Sequence, residues 1–191
     1  MNPDKELLYR GLSHGAWGYF FLNFDFNFGT VSVFPRFVGF LLLLSAADQL
    51  SGDRRDLALL RPLAILLAAW NGVDWLLSWG GGDVDGHILF LDLLISAAGL
   101  YFHFQFLTDM AALAEQYQDE GDDLDRRLLH RRTMFIVLVT AVALFVNLPA
   151  GLLGEWQEWV VLAIAVVTCI AALLIMTGLF GLRKCFAASQ L

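Results

Sequence analysis

The sequence predicts an all-α membrane protein, a bundle of six transmembrane helices, on three observations. Of its 191 residues, 58% are hydrophobic and only 16% are charged, where soluble domains carry about 25%. The charges are clustered and leave apolar runs at 37–47, 134–148 and 159–182, at or near the ~18 residues that mark a membrane-crossing helix. Finally, Arg36 alone of the 12 basic residues falls on one side of the predicted spans, and all the others fall on the opposite side. Basic residues accumulate in cytoplasmic loops, so both termini are expected in the cytoplasm.

The first span is placed at residues 12–28. The segment before it, "MNPDKELLYRGLSHGAW", has acidic residues and no compact apolar stretch. It does not read as a cleaved secretory signal, so this span is expected in the mature protein. Gly11, Gly15 and Gly18 share one of its surfaces and suit close helix contact. That glycine face is also a candidate surface for a second copy or a partner subunit. The second span covers 31–50 and the third 57–79. The fourth covers 86–107 and is followed by a cytoplasmic loop at 108–130. In that loop "MAALAEQY" continues the helix, and Gly121 is expected to break it. The fifth and sixth spans are placed at 131–153 and 155–182. Trp75, Trp79, Trp156 and Trp159 then fall at the outer boundary, where amphipathic rings collect. All 191 residues read as a single transmembrane domain, arranged as three helical hairpins. Each odd span carries an Asn near its outer end (Asn23, Asn71, Asn147). Each even span carries a small polar residue before alanines (Ser45, Ser96, Thr168).

The stretch "FFLNFDFNFGTVSVFPRF" alternates Asn23, Asp25 and Asn27 with phenylalanines. An unwound end to the first span fits this pattern, provided that protein or water surrounds the freed backbone. The third span puts Asn71 and Asp74 on one face. The fourth does the same with Asp92, Ser96 and His103, His103 lying about 16 Å below Asp92 by helical rise. Ionisable side chains inside a membrane usually face a bundle interior or a wet cavity. Asn23, Asp25, Asn27, Asn71, Asp74, Asp92, Ser96, His103 and Asn147 are therefore the candidate site, an acidic cavity open to the outside for a cation, a proton or a cationic small molecule. The competing reading is a structural or sensory membrane protein in which these groups only hold helices together.

Other chemistry finds little support. The chain lacks HExxH, GxSxG, P-loop and paired-cysteine motifs, so no catalytic residues, metal ligands or cofactor are assigned. Cys169 and Cys185 read as free thiols. A net charge of −7 without a basic domain argues against nucleic acid as a partner. The expected partner is the lipid bilayer.

Asn27, Gly29, Thr30, Pro35, Val38, Gly39 and Phe40 form the pattern Asn-x-Gly-Thr, Pro, Val-Gly-aromatic. This stretch resembles the first hairpin of a group of small multi-pass membrane proteins of Gram-positive bacteria. The resemblance implies a location in the bacterial inner membrane and an outer turn pinned by Gly29 and Pro35. In size and predicted topology the chain is also similar to the substrate-capture subunits of vitamin importers. The second likeness, one of shape alone, points to a small transporter or a substrate-binding membrane component, whereas the first implies no activity.

Overall fold

The computed structural model describes residues 3–24, 27–28, 31–32, 35–82, 89–146 and 156–187. Six long helices occupy them: α1 (Pro3–Asn23), α2 (Arg36–Leu50), α4 (Arg61–Ser78), α5 (Leu89–Tyr117), α6 (Leu124–Val146) and α7 (Gln157–Ala187). A short helix, α3 (Arg55–Leu59), precedes α4, and two-residue strands β1 (Asn27–Phe28) and β2 (Val31–Ser32) lie between α1 and α2. Each expected span thus overlaps one long helix. Three of them, α5, α6 and α7, are long and apolar enough to cross a membrane. The others are shorter or more charged. Helix α2 has 15 residues, α1 opens on Asp4, Lys5, Glu6 and Arg10, and α4 has 18 residues that include Arg61 and Asp74.

Several boundaries differ from the expected ones for local reasons. Helix α1 ends at Asn23, not at 28. There the Asn23 amide turns back to donate to the Tyr19 carbonyl, and the chain goes on to an antiparallel ladder pairing Asn27 with Ser32 and Phe28 with Val31. Asn27 and Phe28, the described end of the alternating stretch, are therefore extended and not helical. The expected span at 57–79 is divided, because Pro62 falls in the first turn of α4. Proline lacks an N–H and disfavours helix before it, so it suits a helix start. Helix α5 runs on to Tyr117, and Gly121 then breaks the chain at φ +97°, a backbone conformation open mainly to glycine. Helix α6 begins at Leu124, seven residues ahead of the expected start, because Leu128 is buried in the core.

The six long helices close a ring in chain order. Helix α1 packs on α2, α2 on α4, α4 on α5, α5 on α6, α6 on α7, and α7 returns to α1. The α1–α2 contact is the closest. A Cβ at Gly18 would lie 3.1 Å from the Gly39 carbonyl oxygen and 2.8 Å from Leu43, and one at Gly39 would lie 2.9 Å from the Gly18 oxygen. Gly11 likewise abuts Leu50, whereas Gly15 faces Phe106 of α5. The expected single glycine face is therefore split, and both parts are filled by helices of the same chain.

Core residues are concentrated at one end of the ring, where α1 and α4 begin and α5 and α7 finish. They include Leu12, Leu50, Leu57, Leu60, Met110, Leu113 and Leu182. Arginines tie the helices together at that end. Arg131 donates to the Leu174 carbonyl at 2.6 Å and Arg132 to Thr108 at 2.8 Å. Arg183 reaches Ser13 and lies over the rings of Tyr9 and Phe180. Outward faces are apolar instead of polar, with Leu76, Phe90, Val137, Leu144 and Trp159 more than half exposed.

Candidate functional site

At the opposite end the ring is hollow. Toward Asn23, where α1, α4 and α6 finish and α2, α5 and α7 begin, the helices border an open cavity of about 400 Å³. Every long helix contributes to its wall. Helix α1 brings Leu22 and Asn23, α2 brings Arg36 and Phe40, and α4 brings Leu67 and Asn71. Helix α5 supplies Ser96, Gly99 and His103, α6 supplies Phe135, Val139 and Val142, and α7 supplies Thr168. The wall is mostly apolar with a few placed polar groups, the usual composition of a small-molecule site.

His103 lies at the inner limit of this space and is only 8% exposed. The rings of Tyr19, Phe40, Phe102 and Phe135 surround it at centroid distances of 5.3–6.1 Å. Its Nδ1 is 3.2 Å from the hydroxyl of Tyr19, which is fully buried. A charged imidazolium would be a buried charge with no carboxylate of the described residues bonded to it, which is costly, so the neutral ring fits this box. The tautomer then follows from satisfying donors. The Tyr19 hydroxyl has only Nδ1 as a partner among the described residues. It must donate there or leave a buried O–H unmade. With Nδ1 accepting, Nε2 carries the hydrogen, and no protein group among the described residues accepts it. The inner limit of the cavity therefore offers one N–H donor.

Higher in the cavity, Asn23 and Asn71 donate to carbonyls of their own helices, at Tyr19 and Leu67. Each keeps an amide oxygen for another partner. Thr168 is bonded to Ile164 in the same way, and Ser96 has no hydrogen bond within the protein among the described residues. Arg36, the first residue of α2, is the one charged side chain in the described lining. The site thus combines donors at both ends with amide oxygens between them.

Of the nine residues expected at the site, the structure brings four together: Asn23, Asn71, Ser96 and His103. Asp74 and Asp92 are half-buried on α4 and α5 but do not line the cavity. Asp25 and Asn147 lie outside the described residues, and Asn27 is described only as backbone in β1. The described lining contains no carboxylate, so the expected acidic character is absent from it. Thr133 and Thr140 bond to their own helix and are exposed, while Phe135, Val139 and Val142 form the cavity face of α6.

Sequence reasoning missed Tyr19 and Arg36 as parts of the site. Tyr19 was legible in principle, one helical turn before Asn23. In the sequence Thr168 stands out only as an element of the hairpin repeat. Of the repeat residues, Ser96 and Thr168 line the cavity, but Ser45 bonds to His14 and Gln49 between α1 and α2 instead. Among the described residues, no three His, Cys, Asp or Glu side chains gather as metal ligands. Comparison with protein families, with curated proteins and with solved structures finds no match to this chain.

Proposed function

We propose that this is an integral protein of a bacterial cell membrane, crossing the bilayer six times with both termini in the cytoplasm. We further propose that it acts as a small transporter, or as the substrate-binding component of one. A single observation carries this reading: all six long helices line one cavity at the end opposite every described basic side chain except Arg36, above a filled half. The positive-inside rule turns the arginine-rich end to the cytoplasm, and the cavity then faces outward. The apolar outer faces of the helices suit a lipid surround. The likeness in size and topology to substrate-capture subunits agrees with this reading.

The lining also revises the ligand class. A cationic ligand was expected because of Asp25, Asp74 and Asp92, yet the described wall holds Arg36 and no carboxylate. A small, largely apolar molecule, neutral or anionic, suits it better. Such a molecule would present an acceptor to His103 Nε2–H and donors to the amide oxygens of Asn23 and Asn71. The competing reading, a structural or sensory protein, draws on the bonds of Asn23, Asn71 and Thr168 to their own helices.

Native mass spectrometry of protein extracted in mild detergent separates the two readings. A binding component should carry a small-molecule adduct that Ser96→Trp, which fills the cavity, removes without lowering the melting temperature. An adduct retained by Ser96→Trp would place binding elsewhere. Wild-type protein with no adduct would favour the structural reading.

A further inference from the structure

A second site lies on the surface of α6 that turns away from the cavity. Arg126, Arg127, His130 and Arg131 line a pocket of about 450 Å³, completed by Met134 and by Leu174 of α7. Asp123 pairs with Arg127 at 2.6 Å, but among the described residues no ion pair forms to Arg126 or Arg131. Arg131 is laid onto α7 through its bond to the Leu174 carbonyl, beside Gly178, where a Cβ would lie 2.6 Å from the guanidinium. From His130 and Met134 a second hollow of about 400 Å³ continues along α6 and α7 past Val137, Ala141 and Val167. Its one other polar residue, Thr133, is bonded to its own helix. The two hollows share His130 and Met134 and form one groove, cationic at one end and apolar along the rest.

We propose that this groove binds an anionic phospholipid, with the headgroup phosphate among the arginines and an acyl chain along the α6–α7 seam. The dimensions agree. Arg126 to Ala141 is about 22 Å of helical rise, close to one leaflet with its headgroup layer, given a hydrocarbon core of about 30 Å. The charge agrees too, since basic pockets between helices at the cytoplasmic side hold anionic headgroups. None of the described carboxylates lines the pocket; Asp125 attracts Arg126 without pairing with it and accepts a hydrogen bond from Gln118 at 3.0 Å. A free phosphate would use only the basic end and leave the apolar seam without a role. The inference rests on the membrane reading but not on the small-molecule cavity, so either can fail without the other.

The test is native mass spectrometry of the protein released from nanodiscs that contain equal phosphatidylglycerol and phosphatidylcholine with the same chains. Phosphatidylglycerol should be retained in preference. Arg126→Gln removes a cation that has no ion pair here, and should lower that retention about fivefold, the factor expected for one basic residue at an anionic surface. Val137→Trp, which obstructs the apolar seam, should lower it as well. Arg10→Gln, at the same end but paired with Glu6, should leave it unchanged. Equal retention of the two lipids would overturn the proposal. So would displacement by excess inorganic phosphate together with an inert Val137→Trp, since the site would then be a free-anion site.

Discussion

Tyr19 and His103 hold each other in place. Each is buried, each is the other's hydrogen-bond partner, and aromatic rings enclose both. Removing one partner leaves the other unsatisfied, at a cost of about 1–3 kcal/mol, whereas replacing both by apolar groups of similar shape is close to neutral. Tyr19→Phe should therefore lower the melting temperature in detergent, and adding His103→Phe should restore most of the loss. Additive losses in the double variant would mean that the hydrogen bond contributes nothing. Tyr101→Phe is a fitting control, because that side chain is 56% exposed. His103 was legible as a buried polar group from its spacing with Ser96. Its partner was not, because only the folded ring of helices brings position 19 to position 103.

The α1–α2 contact shows what helix-level reasoning can and cannot give. Glycines at 11, 15 and 18 announce close packing, and the structure has it. The sequence left open which neighbour each glycine meets, and α1 is contacted on more than one side. Gly11 and Gly18 approach α2, while Gly15 approaches α5. Overpacking a filled contact costs about 1–3 kcal/mol or more. Gly18→Leu, forced against the Gly39 carbonyl and Leu43, should thus melt well below wild type. Gly52→Leu, where nothing lies within 4 Å, should melt close to it. Equal melting of the two would rule out the backbone approach seen here. The helix ends were less legible than the helices themselves. Apolar content carries on past Asn23 to Phe28, which lies in the strand β1, so hydropathy places the end of α1 too late. Conversely, the arginines at 126–132 hide the start of α6, because their helix buries only one side.

At the scale of the whole molecule, the bundle divides into a filled half stapled by arginines and a hollow half lined by all six helices. Composition and charge placement made the helices and their alternation legible. The polar positions Asn23, Asn71, Ser96 and His103 could be read as one level of the bundle, since period and depth follow from spacing. The carboxylates could not be sorted in the same way. Asp74 and Asp92 sit at that level but beside the cavity, and a rotation of a few tens of degrees about a helix axis decides which. The central claim is that the hollow half is a cavity reached from outside the cell. It is tested most directly by thiol labelling in intact cells, in a Cys169→Ser, Cys185→Ser background. A membrane-impermeant maleimide added outside should label Ser96→Cys, in the cavity wall, and should leave Ala111→Cys, buried in the filled half, unlabelled. Labelling of Ser96→Cys only after the membrane is permeabilised, or not at all, would contradict the account.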